Sequence, residues 1–461
     1  MASDFSVSRA CDRKARRRSS YSATLARPRE CAGHREARRR VSDDPWSAVD
    51  ADARVRVRSD GAATIGRNEV RLFDAPDVPQ TWHWAAWLAY ADVLTDAGDP
   101  RGEAIRLEHR CATEGTDPAL PAAAYADVER QLGLDGLRAD GSWRFTWSRG
   151  FVDEACFRLA EDTRSQRRDL VDRLTVDLPH TATVDPTDPE RWEGVLIDAL
   201  LSHPVAHRLR DLELHLTDWH HSAEHAAAAL ANRIRPRLER LHFGYDFELL
   251  YAPGKTSTGG RIDPLDHHHT GLVRTDVWRA LPTLRTLELE GAFLFGSVCH
   301  DGVRRLRVRG PVVSDGALFE LGDTPGVTSL EVEIGTDVFG CLCPVDQLDE
   351  LRAADYPALE HLDLSEAEFD ASPYEVLATL AESSVVPRLR SLTIGELTIE
   401  REDIDGDPST ALAELVGRFA HLDLIVDGIV DVEGVDDEEV ERLLAASGPK
   451  PNPAVGGRDD D

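Results

Sequence analysis

Leu284-Arg285-Thr286-Leu287-Glu288-Leu289 places apolar residues at the first, fourth and sixth positions of a six-residue phrase, and the phrase recurs along the chain. The same spacing occurs at Leu209/Leu212/Leu214, Leu238/Leu241/Phe243, Val303/Leu306/Val308, Val327/Leu330/Val332, Leu359/Leu362/Leu364, Leu389/Leu392/Ile394 and Phe419/Leu422/Leu424, with a looser copy at Val171/Leu174/Val176. Apolar residues two apart, with polar residues between them, describe a short strand that buries one face. A strand unit that returns throughout a chain describes a stacked array, because one unit alone cannot bury its apolar side. The expected fold is therefore α/β: a leucine-rich-repeat-like solenoid with one parallel sheet, preceded by a small helical cap module.

First positions of successive phrases lie 19 to 46 residues apart, so the units are irregular, with long inserts at 245–275 and 335–356. Polar residues flanking the leucines are expected on the open, concave face of the sheet. The candidate partner-binding residues are Glu213, His215, Arg240, His242, Glu288, Glu290, Arg305, Arg307, Arg309, Glu331, Glu333, His361 and Asp363. If the units stack in chain order, the basic row Arg305/Arg307/Arg309 lies between the acidic rows Glu288/Glu290 and Glu331/Glu333. Strands roughly 4.8 Å apart bring such rows within pairing reach, so a self-neutralising ladder is expected ahead of an anion site at three guanidinium groups.

Four segments are expected. Residues 1–50 are a disordered basic leader, 51–142 a helical module with a short hairpin, 143–446 the solenoid with N-terminal cap strands, and 447–461 a disordered tail. The first 40 residues carry 12 Lys and Arg against 4 Asp and Glu, whereas the rest carries 41 against 80. The Arg- and Ala-rich leader reads either as a basic tail for anionic surfaces or, preferably, as GC-rich coding upstream of the true start. In the second segment Trp84, Trp87, Leu88, Ala91 and Leu94 follow helical spacing. Gly98 closes that helix, and Asp99-Pro100 with Glu103 opens the next. A third helix is expected from Pro121 to Leu132. Alternation at Trp143, Phe145 and Trp147, then Phe151–Leu159 beyond Arg149-Gly150, gives the cap strands.

The run Tyr90-Ala91-Asp92-Val93-Leu94 followed by Gly98-Asp99-Pro100-Arg101-Gly102-Glu103-Ala104-Ile105 resembles the bacterial repeat-companion domain, with Val93 where that family often has Trp. The phrase Arg149-Gly150-Phe151-Val152-Asp153-Glu154 is similar to that family's junction with its repeats. The resemblance implies a bacterial leucine-rich-repeat protein and brings no catalytic residues with it. From the residues themselves, Asp-Pro-Arg-Gly reads as a tight turn between helices, with Arg101 and Asp92 placed to pair across it.

The formal charge of −31 on 461 residues disfavours nucleic acid as a partner of the folded body and favours a protein with basic patches. The seven cysteines are scattered and odd in number, which implies no disulfide framework. No apolar run reaches membrane-spanning length and no secretory signal opens the chain, so a cytoplasmic monomer is expected.

Other candidates for chemistry fall short. Gly254-Lys255-Thr256 lacks the glycine of a phosphate loop, since Leu249 stands at its position. His267-His268-His269 with Asp263 and Asp266, and His220, His221 and His225, are incomplete ligand sets without a specific metal spacing. Cys341-Leu342-Cys343 has no second pair and no activating neighbour in sequence. No catalytic residue, metal or cofactor is expected. The expected function is noncatalytic protein binding by the concave face; the alternative is a metal-dependent or thiol enzyme built on the two inserts.

Overall fold

The computed structural model describes residues 84–139, 142–158, 192–216, 222–246, 273, 275–291, 298–310, 324–334, 343–404 and 406–445. The chain divides into units Met1–Arg58 and Ser59–Asp461, and every described residue belongs to the second. The leader, the hairpin expected within 52–73, the copy at Val171–Val176, most of the insert at 245–275, residues 335–342 of the second insert and the tail lie outside the described residues.

Three helices open the described chain: α1 (Trp84–Asp96), α2 (Arg101–Glu114) and α3 (Ala119–Gln131), followed by the short α4 (Asp135–Ala139). Gly98 has φ +76°, which a glycine adopts without steric cost. Asp99 Oδ1 accepts the Arg101 N–H at 3.0 Å, the capping role expected of it. Gly102 allows the helices to meet, because a Cβ there would strike Ala91 O and Thr95 Oγ1. The expected Arg101–Asp92 pair does not form. Arg101 Nη2 folds back to Asp99 Oδ2 at 2.6 Å, and Asp92 takes Arg106 Nη2 at 2.7 Å. One turn into α2, Arg106 faces α1, whereas Arg101 lies too near the turn to reach past its own capping residue.

Next comes a hairpin of β1 (Trp143–Ser148) and β2 (Phe151–Arg158). Arg149 and Gly150 both have positive φ (+52° and +82°), the backbone demanded by a tight two-residue hairpin turn. This turn seats the helices. Phe151 packs with Trp87, Ala91, Leu94 and Ile105, and Tyr125 stacks on Trp147. The Tyr125 hydroxyl accepts from Gly150 N at 3.0 Å and donates to Glu108 Oε2 at 2.6 Å.

Beyond β2 the strands follow as β3 (Asp211–Leu216), β4 (Arg240–Tyr245), β5 (Thr286–Glu290), β6 (Arg305–Gly310), β7 (Ser329–Ile334), β8 (His361–Leu364) and β9 (Ser391–Ile394). After β10 (Leu397–Ile399) comes β11 (Asp423–Val426) and then β12 (Val430–Val432). A ten-stranded sheet runs β1 to β9 and then β11, each strand beside its predecessor; the β1–β2 pair is antiparallel and all later pairs are parallel. One face of this sheet is apolar. Leu212, Leu241, Leu287, Leu306, Leu330, Leu362 and Leu392 are in mutual register and almost wholly buried. Ala155 and Phe157 of β2 continue the same rows. Thus β2, expected only as a cap, is a full rung of the parallel ladder.

Connections cover the apolar face with α5 (Trp192–Leu201), α6 (Ser222–Ala231), α7 (Pro373–Glu382) and α8 (Pro408–Gly417), and with single 3-10 turns at Trp278–Ala280 and Val345–Glu350; α9 (Asp437–Ala445) follows the last strand. Buried polar groups between α5 and α6 are tied to each other. Asp198 accepts from Ser202 and Asn232, and Arg235 donates to the carbonyls of Leu201, Ala229 and Leu230. Burial holds the Arg235 guanidinium down to about 10.

The last rung departs from expectation. β11 pairs Leu424 with Leu392, so its six-residue phrase begins at His421 and not at Phe419. A two-residue slip keeps every side chain on its face, and alternation alone does not resist it. Phe419 and Leu422 are buried in the turn below the sheet, and His421 Nε2 donates to Val386 O across 2.9 Å. A second, two-stranded parallel sheet, β10 with β12, was not foreseen.

Candidate functional site

The parallel register gathers the polar positions of β2 to β9 into three rows on one face. The first row runs Glu154, Asp211, Arg240, Thr286, Arg305, Ser329, His361, Ser391 and on to Asp423 of β11, and the second Cys156, Glu213, His242, Glu288, Arg307, Glu331, Asp363, Thr393. The third runs Arg158, His215, Gly244, Glu290, Arg309, Glu333. All thirteen candidate residues lie on this face.

Charges alternate across its centre. Arg309 holds Glu290 on one side (Nη1–Oε1 2.6 Å) and Glu333 on the other (Nε–Oε1 2.5 Å). Arg307 approaches Glu331 at 2.7 Å and Glu333 at 3.2 Å. Glu290 and Glu333 are only 5% and 7% exposed, so the central carboxylates are withdrawn from solvent and from any partner. Burial pushes the Glu333 carboxyl up, against Arg309, which pulls it down. The Arg305/Arg307/Arg309 row is thus consumed by its neighbours at two of three positions. Arg305, facing Thr286 and Ser329, is exposed and has no ion-pair partner among the described residues.

Towards β2 the ladder ends in two histidines. The rings of His215 and His242 lie 4.3 Å apart, tilted by 31°. His242 Nδ1 is 3.4 Å from Glu288 Oε2, in hydrogen-bond geometry. Its Nε2 is 3.2 Å from Glu290 Oε2, close enough for an ion pair but not aligned for a hydrogen bond. Burial opposes a proton on His242, yet the two glutamates prevail and raise it to about 9. His215 is 3.5 Å from Glu213 and is also raised: burial opposes its proton, and Cys156 and Glu213 outweigh burial. Hydrogen bonding from His215 in turn draws the Glu213 carboxyl down to about 2. Arg240 reaches across three strands, to Asp211 at 3.5 Å, Glu213 at 3.7 Å and Glu288 at 3.2 Å.

His361 and Asp363 stand outside this network: His361 Nδ1 meets Ser391 Oγ at 2.8 Å, and Asp363 Oδ1 accepts from Ser365 N at 2.9 Å. The sequence reading missed Cys156, Arg158, Asp246 and Gly244. Arg158 grips the buried Asp246 at 2.6 Å, closing the face beside β3. Gly244 is demanded by the sheet, since a Cβ there would collide with the backbone and Cβ of Glu290. The alternation of Phe151–Leu159 carried the signal for Cys156 and Arg158, but only the register of β2 against β3 joins them to the site.

Of the rejected candidates, His225 packs its Cβ against Gly194 at the α5–α6 crossing, and Cys343 is buried with Sγ 3.6 Å from Pro344 O. Gly254-Lys255-Thr256, His267-His268-His269, His220, His221 and Cys341 lie outside the described residues. Cys111, Cys156 and Cys343 are free thiols, whereas Cys299 is disulfide-bonded, a bond not anticipated from the scattered cysteines. No helix among the described residues is long and apolar enough to cross a membrane. No protein-family model matches the chain, and comparison with curated proteins finds no match.

Proposed function

We propose that this chain is a noncatalytic protein-binding scaffold: a leucine-rich-repeat-like solenoid headed by a helical module of the repeat-companion type. The observation that supports it is a single polar face, continuous over the parallel strands β2 to β9, opposite a face given wholly to the core. Such a surface is broad, rigid and built from shallow side chains, which suits a protein more than a small metabolite. Because the buried glutamates and their arginines satisfy one another and Arg240 is held by three carboxylates, partner contacts fall to the exposed Arg305, His361 and Asp423 of the first row, with Arg305 taking a carboxylate of the partner and Asp423 a basic group. The acidic surplus of the folded body favours a partner with basic patches and disfavours nucleic acid. A bacterial, cytoplasmic monomer is the setting we propose.

The test is affinity capture from bacterial lysate with wild-type protein and with Arg305→Glu or His361→Glu. The proposal expects one protein recovered by wild type, released by added salt, and lost in the face variants at unchanged thermal stability. Recovery indifferent to both substitutions would remove the polar face from the account.

A further inference from the structure

We infer that His215, His242 and Glu290 form a binding site for a divalent transition-metal ion of the zinc class. Each residue comes from a different consecutive strand, and one ligand atom from each falls within 4.8 Å of the others. Ligands about 2.1 Å from a tetrahedral ion lie about 3.4 Å from one another. His242 Nε2 and Glu290 Oε2 already stand at 3.2 Å, so closure needs only a small adjustment of His215. Two imidazoles and one carboxylate form a donor set that zinc-class ions favour, with a fourth position left for water.

What separates this trio from a chance cluster is its support. A ligating imidazole commonly donates its other N–H to a carboxylate, which fixes the tautomer and leaves the second nitrogen free to coordinate. His242 does so: Nδ1 is hydrogen-bonded to Glu288, while the buried Nε2 has no hydrogen bond among the described residues and faces Glu290, so that a bound ion takes the place of its proton. Glu290 is fixed in the same manner, with Oε1 on Arg309 at 2.6 Å and Oε2 towards His242. Between the β3 and β5 ligands, β4 carries Gly244, so no side chain occupies the third row there. A neighbouring trio, Cys156, Glu213 and His215, shares His215. Among the described residues no further carboxylate orients its imidazole from behind, and Glu213 is also drawn upon by Arg240. This site goes beyond the scaffold reading and does not rest on it: metal uptake and partner capture are separate measurements.

The full chain, stripped with a chelator, is titrated with Zn2+ by calorimetry and with Co2+ by visible absorption. One equivalent is expected to bind, with cobalt d–d bands of a low-symmetry site. His242→Gln, Glu290→Gln and His215→Gln are each expected to abolish stoichiometric uptake, with folding verified by circular dichroism. The triple variant His267→Ala/His268→Ala/His269→Ala is expected to retain it. Should a site variant fail to fold, Zn2+-dependent slowing of amide exchange in β3 to β5 of the wild type provides the decision. Absence of uptake, uptake indifferent to His242→Gln, loss only in the His267–His269 variant, or slowing of exchange elsewhere would each overturn the assignment. A thiolate charge-transfer band lost in Cys156→Ser would overturn it in favour of the neighbouring trio.

Discussion

Replacing Arg309 by Met should destabilise the centre of the sheet far more than an ordinary surface substitution. Arg309 is about one-fifth exposed and bridges two carboxylates that are almost wholly buried, on the strands to either side. Breaking a buried ion pair by removing one partner costs roughly 3–5 kcal/mol, because the remaining charge has lost both water and counter-ion. Partial exposure of Arg309 and the second contact of Glu333 with Arg307 place this case at the lower end, about 3 kcal/mol. Neutralising the whole group in Arg309→Met/Glu290→Gln/Glu333→Gln should restore most of that loss, since a neutral trio has no charge to strand. The sign with pH follows. Without Arg309 the buried Glu333 carboxyl, already raised by burial, favours its protonated form still more in the folded state, so the deficit of the single variant shrinks as pH falls through that raised value. A sheet of this length need not unfold in one step, so the assay is amide exchange resolved to β5, β6 and β7, with urea unfolding beside it. A loss below about 0.5 kcal/mol, the range of neutral surface changes, or a triple variant as unstable as the single one, would refute the reasoning.

Leu306→Ala, at the middle of the leucine register, should cost about 3 kcal/mol by transfer and cavity terms, read as a lower midpoint in urea; a loss near zero would remove Leu306 from the core. Gly244→Ala should cost about 1–3 kcal/mol by overpacking against Glu290 and, if the metal assignment holds, weaken uptake as well. Glu108 is half-buried beneath the hairpin turn, and that burial raises its carboxyl despite the bonds from Tyr125 and Arg149 N. Its contribution to stability is present below the ordinary glutamate range and is lost as pH rises through the raised value. The stability of wild type relative to Glu108→Gln should therefore fall from acid to neutral pH, and a rise over that window would contradict the assignment.

The leucine phrases made the sheet legible because each burial row repeats a residue type that no other arrangement accommodates so consistently. They failed at Phe419–Leu424, where apolar residues at both candidate registers left the two-residue slip open. β10 and β12 escaped notice because three residues with one polar centre, Leu397-Thr398-Ile399 and Val430-Asp431-Val432, carry too little pattern. Alternating basic and acidic rows were readable from the order of the units. Their consequence, that Glu290 and Glu333 withdraw from solvent, depends on side-chain reach across strands. The His215–His242 stack could not be read either: the two residues occupy different rows, 27 positions apart in the chain, and only the bare Gly244 row lets them meet.

The central claim is that the leucines are successive rungs of one sheet. Methyl–methyl nuclear Overhauser contacts in leucine-labelled protein test it most directly. Neighbouring rungs are about 4.8 Å apart and second neighbours about twice that. Leu306 should therefore show contacts to Leu287 and Leu330 and none to Leu241 or Leu362, and Leu392 should meet Leu424 along its own row. Contacts that skip rungs, or a Leu306 that meets neither neighbour, would contradict the account.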